Sequence, residues 1–139
     1  MYSRIMVPLD LSESSLDKAA LDTAVDLARR EASTLRLIHV MPLTPALLAD
    51  YVPLDFDVQQ IASVKQELEV IASDTGLGGR VAVVVRQGGV YHEILEEVKR
   101  AQIDLIIMSS HRPDMRDYLI GSNAGRMVRH ATCSVLVVR

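Results

Sequence analysis

The sequence predicts an α/β fold: an open, parallel, five-stranded, doubly wound sheet. Three observations predict it. First, short apolar runs at residues 5–9, 35–40, 81–85, 105–108 and 135–138 alternate with four stretches of helical character. Such β-α alternation implies right-handed crossovers, parallel strands and helices on both faces. Second, most of these runs lack polar alternation, as expected for strands covered on both sides. Third, the fourth run leads through a small, polar, basic loop to a helix start at Gly121-Ser122-Asn123. The first N–H groups of a helix have no intrahelical partner and the helix dipole is positive there, so this segment is suited to holding an anion.

Bulk properties fit that picture. The chain has 139 residues, of which 49% are hydrophobic and 24% charged. This suits one globular domain over residues 1–139 rather than a disordered chain. The net charge of -3 argues against broad nucleic-acid binding by phosphate neutralisation. Cys133 is the one cysteine, so no internal disulfide forms, which suits a reducing compartment. It precedes an apolar strand and reads as a packed thiol rather than a reactive one. No charged-then-apolar leader precedes the first strand, and no apolar run nears the roughly 18 residues of a membrane span. The expectation is a soluble cytoplasmic protein with no nucleic-acid or membrane partner.

Taken in order, Ile5-Met6-Val7-Pro8-Leu9 is the first strand, with Pro8 at its end, where a lost ladder donor matters least. Asp10 follows, then a serine cluster. Ser14 with Asp17 three residues on resembles a capping box. Leu16, Ala19, Ala20, Leu27 and Ala28 recur at helical spacing, so a helix runs to about Ala32. Leu35, Leu37, Ile38 and Val40 mark the second strand. His39 within it reads as a histidine bonded to a neighbour, with ligand contact as the other reading.

Residues 41–57 combine Pro42, Pro45 and Pro53 with Leu43, Leu47, Leu48, Tyr51, Val52 and Phe56. A connection of this length is usually functional. It reads as a flap over the pocket mouth or a surface that meets another subunit, with a plain ordered loop as the alternative.

Val58, Ile61, Val64, Leu68 and Ile71 mark the second helix, which ends in a glycine-rich stretch suited to a left-handed cap. The valine-rich third strand turns at Gln87-Gly88-Gly89 into a helix carrying Ile94, Leu95 and Val98. Its His92, Glu93, Glu96, Glu97 and Lys99 read as a solvated face. The last helix is expected to bury Ala124, Met127, Val128 and Ala131, with Arg126, Arg129 and His130 set towards its C-terminal end, where cations suit the dipole. A terminal apolar strand lying at a sheet edge leaves an open ladder that invites a second chain.

In parallel sheets, ligands sit beyond the carboxyl ends of the strands where strand order reverses. The segment Pro8-Leu9-Asp10 and residues 109–122 are therefore expected to face one crevice. Ser109, Ser110, His111 and Arg112 add side-chain donors to it. Arg112 reads equally as a phosphate-holding guanidinium or a surface cation. Asp10 is suited to ribose, base or magnesium, or to capping the first helix. Catalysis is weakly supported: there is no nucleophile elbow, no Walker loop and no metal-ligand spacing among the four histidines. His111 and Asp114 are the only candidates to position a water.

Several of these segments together resemble the universal stress protein family. They are residues 5–10 followed by Ser12, Ile38-His39-Val40, residues 104–111, Gly121-Ser122, and Val128-Arg129-His130-Ala131 with the last strand. Residues 110–114 and 118–124 look like the bacterial F/G branch of that family. The resemblance implies a Rossmann-like sheet of order 3-2-1-4-5, a homodimer often formed through the last strand, with further pairing into tetramers open, and ATP binding in part of the family. It carries adenine contacts to Asp10 and Val40. Ribose and phosphate contacts go to Met108, Ser109, Gly121, Ser122 and Asn123. Nucleotide-binding members usually show Gly-x2-Gly-x9-Gly followed by Ser or Thr. Here Ser109 and Arg112 stand at the first two glycines, and the gap from Arg112 to Gly121 is one residue short. Losing glycines removes close backbone approach to phosphates. Ser109, His111 and Arg112 supply side-chain donors instead. The expected function is a stress-response module that binds ATP, with or without Mg2+, at Pro8, Leu9 and the residues just named; the alternatives are a nucleotide-independent oligomeric interaction protein or a slow ATPase.

Overall fold

The structure, a computed structural model, describes residues 1–13, 15–110 and 122–139. Five parallel strands form one sheet: β1 (Arg4–Pro8), β2 (Thr34–Met41), β3 (Val81–Gln87), β4 (Leu105–Ser109) and β5 (Ser134–Val138). Their order across the sheet is β3-β2-β1-β4-β5, as the resemblance implies. Four helices connect them: α1 (Lys18–Glu31), α2 (Phe56–Asp74), α3 (Val90–Ala101) and α4 (Ser122–His130).

The strands are apolar on both faces because helices cover both. On one face Ile5, Val7, Leu35, Leu37, Leu105 and Ile107 pack with Ala20, Ala24 and Ala28 of α1 and Leu68 and Ala72 of α2. On the other, Met6, Ile38, Ile106 and Met108 pack with Ile94 and Val98 of α3 and Ala124 and Met127 of α4. Residues i and i+1 thus feed different cores, which is the period of a strand. Small residues along α1 let it approach the sheet closely.

Several local expectations are corrected. The helix α1 starts at Lys18 with Asp17 at its N-cap, and no side-chain cap bond forms; Ser14 lies outside the described residues. The face of α3 read as solvated is not so along its length. Glu97 is only 2% exposed. Its Oε1 accepts from Arg36 Nη1 at 3.0 Å, and its Oε2 accepts from Arg86 Nη2 at 2.6 Å. A buried carboxylate is tolerated because two guanidiniums neutralise it and fill its lone pairs. In α4, Val128 is 52% exposed, whereas Ala124 and Met127 are buried. Arg126 sits over the Tyr91 ring, 4.8 Å from its centroid, linking α4 to α3 by a cation–π contact.

The ends of the helices follow backbone rules more than side-chain rules. Ala32 and Gln102 take the left-handed conformation after α1 and α3. The next N–H groups then reach back, Ser33 to the Ala28 carbonyl and Ile103 to the Val98 carbonyl, each at 3.0 Å. This is the Schellman pattern, which satisfies carbonyls a helix end leaves open. After α2 a glycine takes the left-handed position, Gly76 at φ +70°, but the next N–H, of Leu77, donates to the Thr75 hydroxyl oxygen at 3.3 Å instead of to a helix carbonyl.

Candidate functional site

A cavity of about 410 Å3 opens at the carboxyl ends of β1, β2 and β4. That is the point where strand order turns from β1 back to β4, and a crevice there is expected because crossovers leave β1 and β4 in opposite directions. Its size falls within the usual range for small-molecule sites. Seven of the expected site residues line it: Pro8, Leu9, Asp10, Val40, Met108, Ser109 and Asn123. His111, Arg112 and Gly121 lie outside the described residues, as does Asp114. Ser122 is the first residue of α4.

The β1 rim is tied down residue by residue. Pro8 ends the strand, so the ladder passes to Leu9, whose N–H donates to the Ile38 carbonyl at 2.8 Å. The Leu9 carbonyl pairs with His39 Nδ1, also at 2.8 Å. A carbonyl only accepts, so Nδ1 carries the proton and donates it to Leu9. His39 is therefore bonded to a neighbour, as read from the sequence, and it also lines the cavity. Asp10 N–H then donates to Asp17 Oδ2 at 2.6 Å.

Asp10 does not cap α1. Its Oδ1 accepts from Ser12 N–H at 3.1 Å and from Ser12 Oγ at 2.6 Å, closing the 3-10 turn Leu11–Glu13. Ser12 is thus a donor to Asp10 rather than a helix cap. By sequence Asp17 fits only a capping box. The signal that could have found it is its distance from Asp10: seven residues, one short turn and back.

Ser109 has a similar commitment. Its Oγ donates to the Leu16 carbonyl at 2.7 Å. That bond ties the end of β4 to the residues before α1 and uses the hydroxyl proton. What Ser109 presents to the cavity is acceptor capacity, not the side-chain donor expected of it. On the same side of the cavity Asn123, in the first turn of α4, joins Ser109 in the lining.

The remaining walls are apolar. Leu11, Leu16, Ile38, Val90, Ile94 and Ala124 contribute. Pro42 lines the mouth, so residues just after β2 reach it. Met41 still belongs to β2 and Phe56 opens α2; between them residues 43–55 hold a 3-10 segment, Ala46–Tyr51, with irregular and turn stretches on either side. Leu47 is 88% and Tyr51 83% exposed, so these side chains stand away from the cavity. Among the described residues no group of three or more His, Cys, Asp or Glu gathers to hold a metal. No described helix is long and apolar enough to cross a membrane.

A doubly wound parallel sheet with a cavity at its switch point defines an α/β protein of the Rossmann-like class. The universal stress protein family model matches residues 1–139, and the chain belongs to that family. It is 30% identical to universal stress protein G of Escherichia coli O157:H7, with all of both chains covered. Its fold is similar to that of universal stress protein UspA from Lactobacillus plantarum (TM-score 0.79, 24% identity, 99% of this chain and 98% of that one). It is also similar to the universal stress protein from Archaeoglobus fulgidus in complex with dAMP (TM-score 0.68, 14% identity, 99% and 98%).

Proposed function

We infer that this protein is a cytoplasmic stress-response module that binds ATP in the cavity at the carboxyl ends of β1 and β4. The observation that carries the reading is the cavity itself: its size, its position at the switch point, and its lining by one acidic rim and one helix start. The dAMP complex of the Archaeoglobus fulgidus relative, a protein of similar fold, supports an adenine nucleotide as the class of ligand.

In this reading the base lies on the β1–β2 side. There Asp10 and the backbone at Val40 supply polar contacts, and Ile38, Val90 and Ile94 supply apolar surface. The ribose lies by Met108 and Ser109. The phosphates point to Gly121, Ser122, Asn123 and the side chains of His111 and Arg112, where helix N–H groups and a guanidinium favour negative charge. Mg2+ enters with the nucleotide, bound to its phosphates. The apolar surface of residues 47–58 and the edge strand β5, where Leu136 is 40% exposed, support a homodimer or larger assembly; a nucleotide-independent interaction protein is the second reading.

Calorimetric titration of the stripped protein with Mg–ATP, and with AMP and GTP alongside, tests this. Binding of ATP well above AMP and GTP is expected. Arg112→Ala should weaken ATP by about tenfold, the worth of one charge-assisted hydrogen bond, and adenosine far less. Equal loss for both ligands would remove Arg112 from the phosphate site. No binding of any nucleotide by a folded, dimeric protein would favour the second reading.

A further inference from the structure

At the opposite end of the sheet lies a second cavity, of about 230 Å3, lined by the amino-terminal ends of β1, β2 and β3 and by the end of α3. Arg4, Arg36 and Arg80 all line it, with Thr34, and none of its lining residues is a carboxylate. This concentration of cations is unexpected in a chain of net charge -3. We propose that this cavity is a second ligand site, which takes a compact oxyanion: inorganic phosphate or the phosphate head of a small ester.

The hydrogen bonds leave donors for it. Arg4 uses Nη1 on Gln102 Oε1 at 2.9 Å. Arg36 uses Nη1 on Glu97 at 3.0 Å. Arg80 uses Nη1 on the Ala28 and Ser33 carbonyls, at 3.0 and 3.4 Å. A guanidinium has five N–H groups. The Nη2 and Nε groups of these three have no hydrogen-bond partner among the described residues. These bonds also pin the stems, so little side-chain entropy remains to be lost on binding.

Opposing charge nearby is already engaged. Glu97 is shared between Arg36 and Arg86, which leaves that trio with one positive charge in excess. Asp104 accepts the backbone N–H groups of Ser3 and Arg4. The Gln102 and Ile103 N–H groups close the end of α3 onto the Lys99 and Val98 carbonyls. The cavity volume suits a phosphate with a few further atoms. It does not suit a nucleotide, which separates this site from the one at the carboxyl ends.

The test is a titration of the 15N-labelled protein, followed by amide shifts, with sodium phosphate, with glycerol phosphate, and with sodium chloride at matched ionic strength. Saturable shifts at Gly79, Ala82, Ala101 and Ile103 with phosphate and not with chloride are expected. Glycerol phosphate acting at lower concentration than phosphate would identify the ester as the preferred form, and the reverse order the free ion. Arg4→Gln and Arg80→Gln, neither of which touches Glu97, should each weaken the apparent affinity by about tenfold while the protein stays folded. Equal shifts with chloride, shifts confined to Ser109 and Asn123, or full retention in both variants would overturn the proposal.

Discussion

Two carboxylates whose roles are visible only in three dimensions set the chemistry at the residue scale. Asp17 holds the Asp10 backbone at 2.6 Å, so it fixes the rim from which Asp10 faces the cavity. Asp17→Ala should lower stability by about 1 kcal/mol in urea denaturation, the usual net worth of such a bond, and weaken nucleotide binding while leaving the fold intact. Unchanged stability and binding would mean that the rim is held by the strand alone. Glu97 is the larger case. Removing it leaves Arg36 and Arg86 facing one another without a counter-charge, so Glu97→Ala should cost about 3 kcal/mol, at the lower end for a broken buried pair because both arginines reach solvent. A cost below about 1 kcal/mol, measured the same way, would contradict that account.

Cys133 belongs to the same scale. Burial pushes its thiol up from the ordinary range, so the folded state favours the protonated form. Its contribution to stability is whole below the ordinary thiol range and falls as pH rises through the raised value. Iodoacetamide should therefore label Cys133 slowly near neutral pH in the folded protein and quickly in denaturant. Equal rates would show an exposed, reactive thiol.

Helix ends and turns carry strain that single substitutions can expose at the element scale. Ala32 holds a left-handed conformation with φ 55°, costly for a residue with a Cβ. Ala32→Gly should stabilise the protein by about 0.5–1 kcal/mol, since the relief exceeds the added freedom of the unfolded chain. Gly88 is the converse. It has φ +144°, and a Cβ there would meet Glu93 Oε1 at 2.9 Å. Gly88→Ala should destabilise the turn into α3, read as a lower thermal midpoint; an unchanged midpoint would show that Glu93 swings aside at no cost. The first three turns of α2 show a different economy. Its buried residues are Leu68 and Ala72, and Val58, the first of the apolar residues that mark the helix in the sequence, stands at the surface, 69% exposed.

The division of labour across the whole molecule was legible in the sequence because the sheet's physics is written in runs of residues. Five largely apolar runs and four helical stretches sufficed for a parallel, two-faced sheet. The grouping of Pro8, Leu9, Asp10 and Ser109 at one crevice followed from the switch-point rule. Val40, Met108 and Asn123 came with them from the family resemblance. What was not legible depended on contacts between distant positions. Glu97 sits among charged neighbours on α3, and nothing in its local spacing marks it as the residue that meets Arg36 and Arg86 from two strands. Ser109 looks like a donor to a ligand until Leu16, 93 residues away in sequence, takes its proton. Nor does local spacing predict that Arg4, Arg36 and Arg80 share a cavity, because parallel register alone brings their strand ends together.

The central claim is that the carboxyl-end cavity takes an adenine nucleotide. The most direct measurement is a titration of the 15N-labelled, ligand-stripped protein with Mg–ATP, mapped residue by residue. The account predicts saturable shifts at Leu9, Asp10, Val40, Ser109 and Asn123, with the α2 and β3 backbone unmoved. Shifts scattered over the surface, or none at concentrations where the relatives' class of ligand is in excess, would contradict it.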